Sequence, residues 1–76
     1  MSSRPRWHLW AIDETSKCAM IADADAEIDI RGLHEGGRRL VQQIARRKNH
    51  AARHVVGLRY EAHPPGVTPP GCRVLG

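Results

Sequence analysis

The sequence contains no phenylalanine, and its aromatic residues are limited to two tryptophans and one tyrosine. Leucine, isoleucine, valine, methionine and alanine must therefore fill the interior. The chain has 76 residues, and a chain of this size buries only about 60% of the surface that its unfolded form exposes. We expect one small domain with a thin core and without a deep enzymatic cleft.

Long apolar runs are also missing. No stretch approaches the roughly 18 apolar residues of a membrane-spanning helix. The N-terminal residues MSSRPRWHLW carry no apolar run of about 7 to 15 residues behind their arginines, so they do not resemble a secretory signal peptide. We therefore predict a cytoplasmic protein. Because disulfides rarely persist in that compartment, Cys18 and Cys72 are expected to be free thiols.

The charges are divided along the chain. The formal net charge is +4, but residues 13–30 hold six acids and one base, whereas residues 31–60 hold eight bases and one acid. A chain divided in this way has a dipolar surface, which can steer a charged partner or bind a second copy of itself.

Three stretches have the composition of β-strands. Residues 6–13 and 55–62 are rich in aromatic and aliphatic residues that suit a pleated sheet. In residues 18–30 the positions of one parity are apolar throughout, and those of the other parity are acidic from Asp23 to Asp29. This period of two predicts a strand with one acidic face. Since aspartate and alanine are poor strand formers, we expect the regular strand to end near Asp23.

The stretch GLHEGGRRLVQQIARRK at residues 32–48 is the long helical pattern of the chain. Its apolar residues recur at spacings of three, four and seven, which places them on one side of an α-helix. The opposite side, called here the basic helix face, consists of Arg38, Arg39, Gln42, Gln43, Arg46 and Arg47. Gly37 lies on the packing side, where we expect it to allow close approach to a sheet. Lys48 falls back onto the apolar side, so the helix should end near it.

The order strand, strand, helix, strand predicts an α+β fold. Its three-stranded antiparallel sheet would have the spatial order 2-1-3, with one amphipathic helix across one face. A flexible lead at 1–5 and a Pro/Gly-rich tail at 64–76 flank this ββαβ domain at 6–63. Two Pro-Pro-Gly units predict that the tail lacks regular structure. Both outer strands should keep open edges, which can accept another strand and so form a homodimer.

The two tryptophans are expected on opposite faces of the sheet, since Trp7 and Trp10 differ in parity along the first strand. The helix would cover one face and leave the other open. We therefore expect a tryptophan on the open face to be available for a partner, and Trp10 is our candidate.

The predicted partner-binding residues are the basic helix face, Trp10 and Arg53, which belongs to the dense basic cluster ARRKNHAARH. Arginine can fork onto phosphate oxygens and glutamine can reach base edges, so this surface resembles a phosphate-contacting one in composition. Three interpretations stay open: a solvated cationic face without a partner, a nucleic-acid contact, and a contact with an acidic or nucleoprotein partner.

No pattern predicts catalysis, a metal or a cofactor. His50 and His54 stand four apart and could share a helical face, but no CxxC or HExxH pattern accompanies them. The acidic row at 23–29 lacks the glycine and glutamate that a calcium loop needs in register. Neither cysteine stands in a pattern that supplies a catalytic base. We therefore expect a non-enzymatic protein without cofactor or metal.

The stretches WHLWAIDETSKCAMIADA, GLHEGGRRLVQQIARRK and HVVGLRYEA resemble the hairpin, helix and strand layout of small phage and mobile-element inhibitors, including anti-CRISPR proteins. The resemblance covers about residues 6–62 as layout, and no functional residue carries over from it. It implies a protein that occludes a site on a bacterial nucleoprotein complex. Two alternatives stay open: a small RNA- or DNA-binding protein that uses the same face, and a homodimeric accessory protein that pairs edge strands.

Overall fold

A hairpin, a helix and two further strands follow one another in the computed structural model, which describes residues 6–22 and 37–75. The elements are strands β1 (His8–Asp13) and β2 (Cys18–Ile21), helix α1 (Arg38–Ala51), and strands β3 (Leu58–His63) and β4 (Arg73–Val74). The predicted α+β class is confirmed.

The strands form one sheet in the order β3-β1-β2-β4. β1 runs antiparallel to both of its neighbours, and Ala11 stands opposite Met20 on one side and Tyr60 on the other. The predicted order of the first three strands is therefore confirmed. β1 is therefore hydrogen-bonded to β2 along one edge and to β3 along the other.

The prediction of a wholly antiparallel, three-stranded sheet is wrong, because β4 adds a fourth strand parallel to β2. Its pairing is made by the N–H of Arg73, which donates to Lys17 O at 2.8 Å, and by the N–H of Leu75, which donates to Ala19 O at 2.8 Å. The second Pro-Pro-Gly unit ends at Gly71, and the residues that follow it contain no proline. The end of the predicted tail is therefore free to adopt an extended, hydrogen-bonded form.

The turn between β1 and β2 is fixed by Asp13. Its Oδ1 atom accepts hydrogen bonds from the backbone N–H of Thr15 at 2.9 Å and of Ser16 at 3.2 Å. A hydrogen bond from the Ser16 side chain and these two backbone bonds lower the pKa of Asp13, because they favour the charged carboxylate. Lys17 ends the turn with a left-handed φ of 56°.

The main core lies between α1 and the sheet. It is formed by residues that are at most 9% exposed, namely Leu9, Leu40, Val41, Ile44 and Ala45. Trp7, Ala22, Tyr60 and Ala62 pack around them. The helix lies over β1 and β3, so the apolar side predicted from the 3, 4 and 7 spacing is the side that the structure buries.

The helix bounds differ from the prediction at both ends. α1 begins at Arg38 because Gly37, its N-cap, has a left-handed φ of 80° that L side chains rarely adopt. Gly37 therefore starts the helix and does not lie inside it. Residues 32–36 of the predicted helix lie outside the described residues. At the other end, α1 continues past Lys48 to Ala51.

β3 begins three residues later than predicted. Gly57 interrupts the extended chain with a φ of 84°, and a Cβ atom placed there would lie 2.6 Å from Thr15 Oγ1. Val55 and Val56 consequently fall in the turn before β3, where Val56 is 96% exposed. The predicted strand at 18–30 is confirmed to Ile21, and its acidic part at 23–30 lies outside the described residues.

The sheet face opposite α1 is covered, contrary to the prediction. Trp10, Ile12 and Ala19 form a second buried cluster, and Cys72 packs against it. β3 and β4 lie at opposite edges of the sheet, so the chain at 64–72 must cross a face to join them. The contact of Cys72 with this cluster places the crossing on the face of Trp10, and Pro69 is buried within the same segment.

Replacement of Val41 by alanine tests the core between α1 and the sheet. Val41 is 0% exposed, so its loss of two methyl groups should lower the free energy of unfolding by about 2 to 3 kcal/mol. The matched control is Val56→Ala, which makes the same chemical change at a side chain that is 96% exposed. In urea unfolding, the free energy of unfolding of the control should lie within about 0.5 kcal/mol of that of the wild type. Equal effects of the two substitutions would contradict this packing.

Candidate cationic interface

The sequence of α1, RRLVQQIARRKNHA, contains five basic residues and no acid. Leu40, Val41, Ile44 and Ala45 are buried against the sheet, so the remaining side chains point sideways or into solvent. The apolar side of the helix therefore packs against the sheet, and the cationic side lies outside the core. No acid within the helix neutralises these charges.

Three members of the basic helix face form its exposed centre. Arg39, Gln43 and Arg46 occupy successive turns and are exposed. Arg39 and Arg46 are seven positions apart, which corresponds to about 10 Å along the helix. Arg47 is exposed beside them, whereas Gln42 is half-buried at the margin. Arg39 and Arg47 each already interact with another group. The structure thus places the predicted residues on one surface, as the helical spacing requires.

Arg38 lies at the edge of this surface and is stacked on an aromatic ring. Its Cζ atom lies 5.6 Å from the centroid of the Trp7 ring, a distance at which a guanidinium is attracted by the ring electrons. Trp7 is itself half-buried against the main core. The contact restrains the guanidinium at the first turn of α1.

Arg53 serves the end of the helix. Its Nη1 atom donates a hydrogen bond to His50 O at 2.7 Å, and the same carbonyl also accepts from the backbone N–H of Arg53 at 3.3 Å. The guanidinium thereby places a positive charge at the negative end of the helix dipole. Arg53 therefore has a local structural role, although it remains exposed.

The histidine pair considered in the sequence is not brought onto one helical face. α1 ends at Ala51, so His50 lies in the helix and His54 in the turn that follows it. Within residues 6–22 and 37–75, no group of three or more histidine, cysteine or acidic side chains could hold a metal ion. The acidic row at 23–29 lies outside these residues.

The expectation that Trp10 is available for a partner is wrong. Trp10 is only 4% exposed, because the chain between β3 and β4 crosses its face of the sheet. Its Nε1 atom is buried and has no hydrogen-bond partner. Leaving such a donor unpaired costs roughly 1 to 3 kcal/mol, so its burial depends on the surrounding apolar contacts. Trp10 belongs to the core and not to a contact surface.

Sequence reasoning missed the link between the end of α1 and β3. The side-chain amide of Asn49 forms two hydrogen bonds with the backbone of Tyr60, at 2.7 and 2.8 Å. Lys48 Nζ lies 5.6 Å from the centroid of the Tyr60 ring. No local sequence pattern predicts these contacts, because they join residues that are eleven and twelve positions apart and belong to different elements.

The two cysteines are free, as expected. The parallel register pairs Cys18 with Arg73, so the adjacent Cys72 points to the opposite face of the sheet. Cys18 Sγ lies 3.9 Å from Arg73 Nη2.

No helix among the described residues is long and apolar enough to cross a membrane. No protein-family model, curated protein or solved structure matches this chain.

Fluorescence quenching by acrylamide tests the burial of Trp10. In the Trp7→Phe variant the remaining tryptophan is Trp10, which is 4% exposed, so its emission should be quenched only weakly. In the reciprocal Trp10→Phe variant the half-buried Trp7 should be quenched more strongly. Unfolding in urea should remove the difference. A Trp10 signal that is quenched as readily in the folded protein as in urea would show that its face of the sheet is open.

Proposed function

We propose that this chain is a non-enzymatic binding module that covers a site on a bacterial nucleoprotein complex by means of the basic helix face. This is the role implied by the resemblance of its layout to that of small phage and mobile-element inhibitors. The observation that carries the proposal is the surface of α1, on which arginines and glutamine stand exposed without an acid in the helix. Such a surface is complementary to phosphates or to an acidic protein surface.

The support beneath this surface favours recognition by a preformed interface. Val41 and Ile44 are at most 2% exposed, and they hold the helix against the sheet directly below Arg39 and Arg46. Arg38 is restrained by Trp7. Side chains that are already ordered lose less conformational entropy on binding, which favours affinity.

Direct binding of RNA or DNA through the same face is the second candidate. The exposed arginines favour it, because guanidinium groups bind phosphates in a bidentate manner. Because Trp10 is buried, it is not available to stack on a base, and base stacking is a common source of affinity for single strands. A contact that relies on charge alone would be independent of sequence and steeply salt-dependent.

A pull-down of the tagged chain from a bacterial lysate, with and without nuclease, separates the two candidates. The proposal expects a discrete protein complex that is retained after nuclease treatment. Retention that disappears with nuclease would overturn it in favour of direct nucleic-acid binding. Titration with generic RNA and DNA at two salt concentrations gives the complementary measurement, since phosphate contacts produce a steep loss of affinity with salt.

Reversal of one charge on the basic helix face tests which surface is used. We expect Arg46→Glu to weaken binding to the captured complex about tenfold, equivalent to about 1.4 kcal/mol. Lys17→Glu is the matched control, because it makes the same change of charge at an exposed residue of the β1–β2 turn and should leave binding nearly unchanged. Both affinities can be measured by titration of the purified complex. Equal losses in the two variants would mean that only the net charge matters, and the proposed interface would be wrong.

A further inference from the structure

β3 is an outer strand of the sheet, and one side chain occupies its free edge. Asn49 Nδ2 donates a hydrogen bond to Tyr60 O at 2.8 Å, and the backbone N–H of Tyr60 donates to Asn49 Oδ1 at 2.7 Å. One amide therefore serves both backbone groups of the same residue, as the backbone of a fifth strand would do. The edge that was predicted to be open is closed at its central position.

The two bonds also show which residues of β3 direct their backbone N–H and C=O groups away from β1. Along an antiparallel strand, successive residues direct their backbone groups alternately to one side and then to the other. Since the groups of Tyr60 point away from β1, those of Leu58 and Ala62 share that direction. The outer edge of β3 thus presents three residues for pairing, and Asn49 holds the middle one.

The sequence of this edge, LRYEAH, complements itself. If a second β3 is placed antiparallel with Tyr60 opposite Tyr60, Arg59 of each copy stands opposite Glu61 of the other. Leu58 then stands opposite Ala62. Opposite charges and apolar pairs facing one another across antiparallel strands stabilise the pairing, and no like charges oppose each other in this register.

The hydrogen-bond balance also favours such a pair once Asn49 is displaced. Each of the three outward-facing pairs would exchange two backbone hydrogen bonds, whereas each copy gives up the two made by Asn49. Asn49 therefore imposes a cost on pairing without abolishing the complementarity of the edge.

We propose that the outer edge of β3 is a pairing edge for a second copy of this chain, and that Asn49 keeps it closed. Displacement of the Asn49 amide allows two β3 strands to join, and the two sheets become one continuous sheet across a twofold axis. This surface is distinct from the basic helix face, so the inference stands apart from the proposed function.

Removal of the Asn49 amide is the direct test. In the 76-residue chain, Asn49→Ala should lower the dimer dissociation constant at least about tenfold relative to the unsubstituted protein, as measured by sedimentation equilibrium over a range of concentrations. His50→Ala is the matched control, because it removes a polar side chain from an exposed position of the same helix, and its dimer dissociation constant should equal that of the wild type. Near-ultraviolet circular dichroism verifies that each variant is folded. If the alanine variant does not fold, Asn49→Ser provides the same test with a side chain too short to reach both backbone groups.

A second substitution identifies the surface through which the variant associates. Adding Arg59→Glu to Asn49→Ala places an acid opposite Glu61 of the other copy, so the dimer should be lost. Arg59→Glu alone controls for the loss of the ion pairs that Arg59 makes with Glu14 at 2.8 Å and with Glu61 at 2.9 Å. A folded Asn49→Ala variant that stays monomeric at every concentration would overturn the proposal. A dimer that persists in the double variant would also overturn it, because another surface would then be responsible.

Discussion

The structure depends on the burial of β1 on both of its faces. Leu9 is 0% exposed beneath α1, and Ile12 is 1% exposed on the other face, while β2 and β3 pair with its two edges. The chain has only three aromatic residues. Because β1 is buried on both faces, its side chains contribute to two separate apolar clusters. The helix supplies one cover and the chain at 64–72 supplies the other, so a segment rich in proline becomes part of the core.

The sequence predicted those features that depend on local periodicity. The spacing of Leu40, Val41 and Ile44 indicated the buried side of the helix, and the same spacing grouped the arginines on the opposite side. The order of β1, β2 and β3 followed from the few ways in which two strands, a helix and a strand can pack. These inferences needed no knowledge of distant contacts.

Features that depend on contacts between distant residues could not be predicted. Trp10 was expected to be exposed because nothing in its own strand indicates that residues around Pro69 and Cys72 cross over it. β4 has two residues, too few for any period to be visible. The bonds between Asn49 and Tyr60 join a helix to a strand, and an asparagine near the end of a helical pattern is ordinarily interpreted as a residue that ends the helix.

The end of α1 connects the two surfaces that we propose for binding. Lys48 contacts the ring of Tyr60 and Asn49 binds its backbone, so the last turns of the helix are fixed to β3 by a side chain and by the main chain. This attachment sets the orientation of Arg46 relative to the sheet. Because the Asn49 amide is directed to the strand, a partner on the basic helix face need not displace it. The proposed charge recognition on the helix and the proposed strand pairing at the edge are therefore separable, although both surfaces depend on Lys48 and Asn49 for their position.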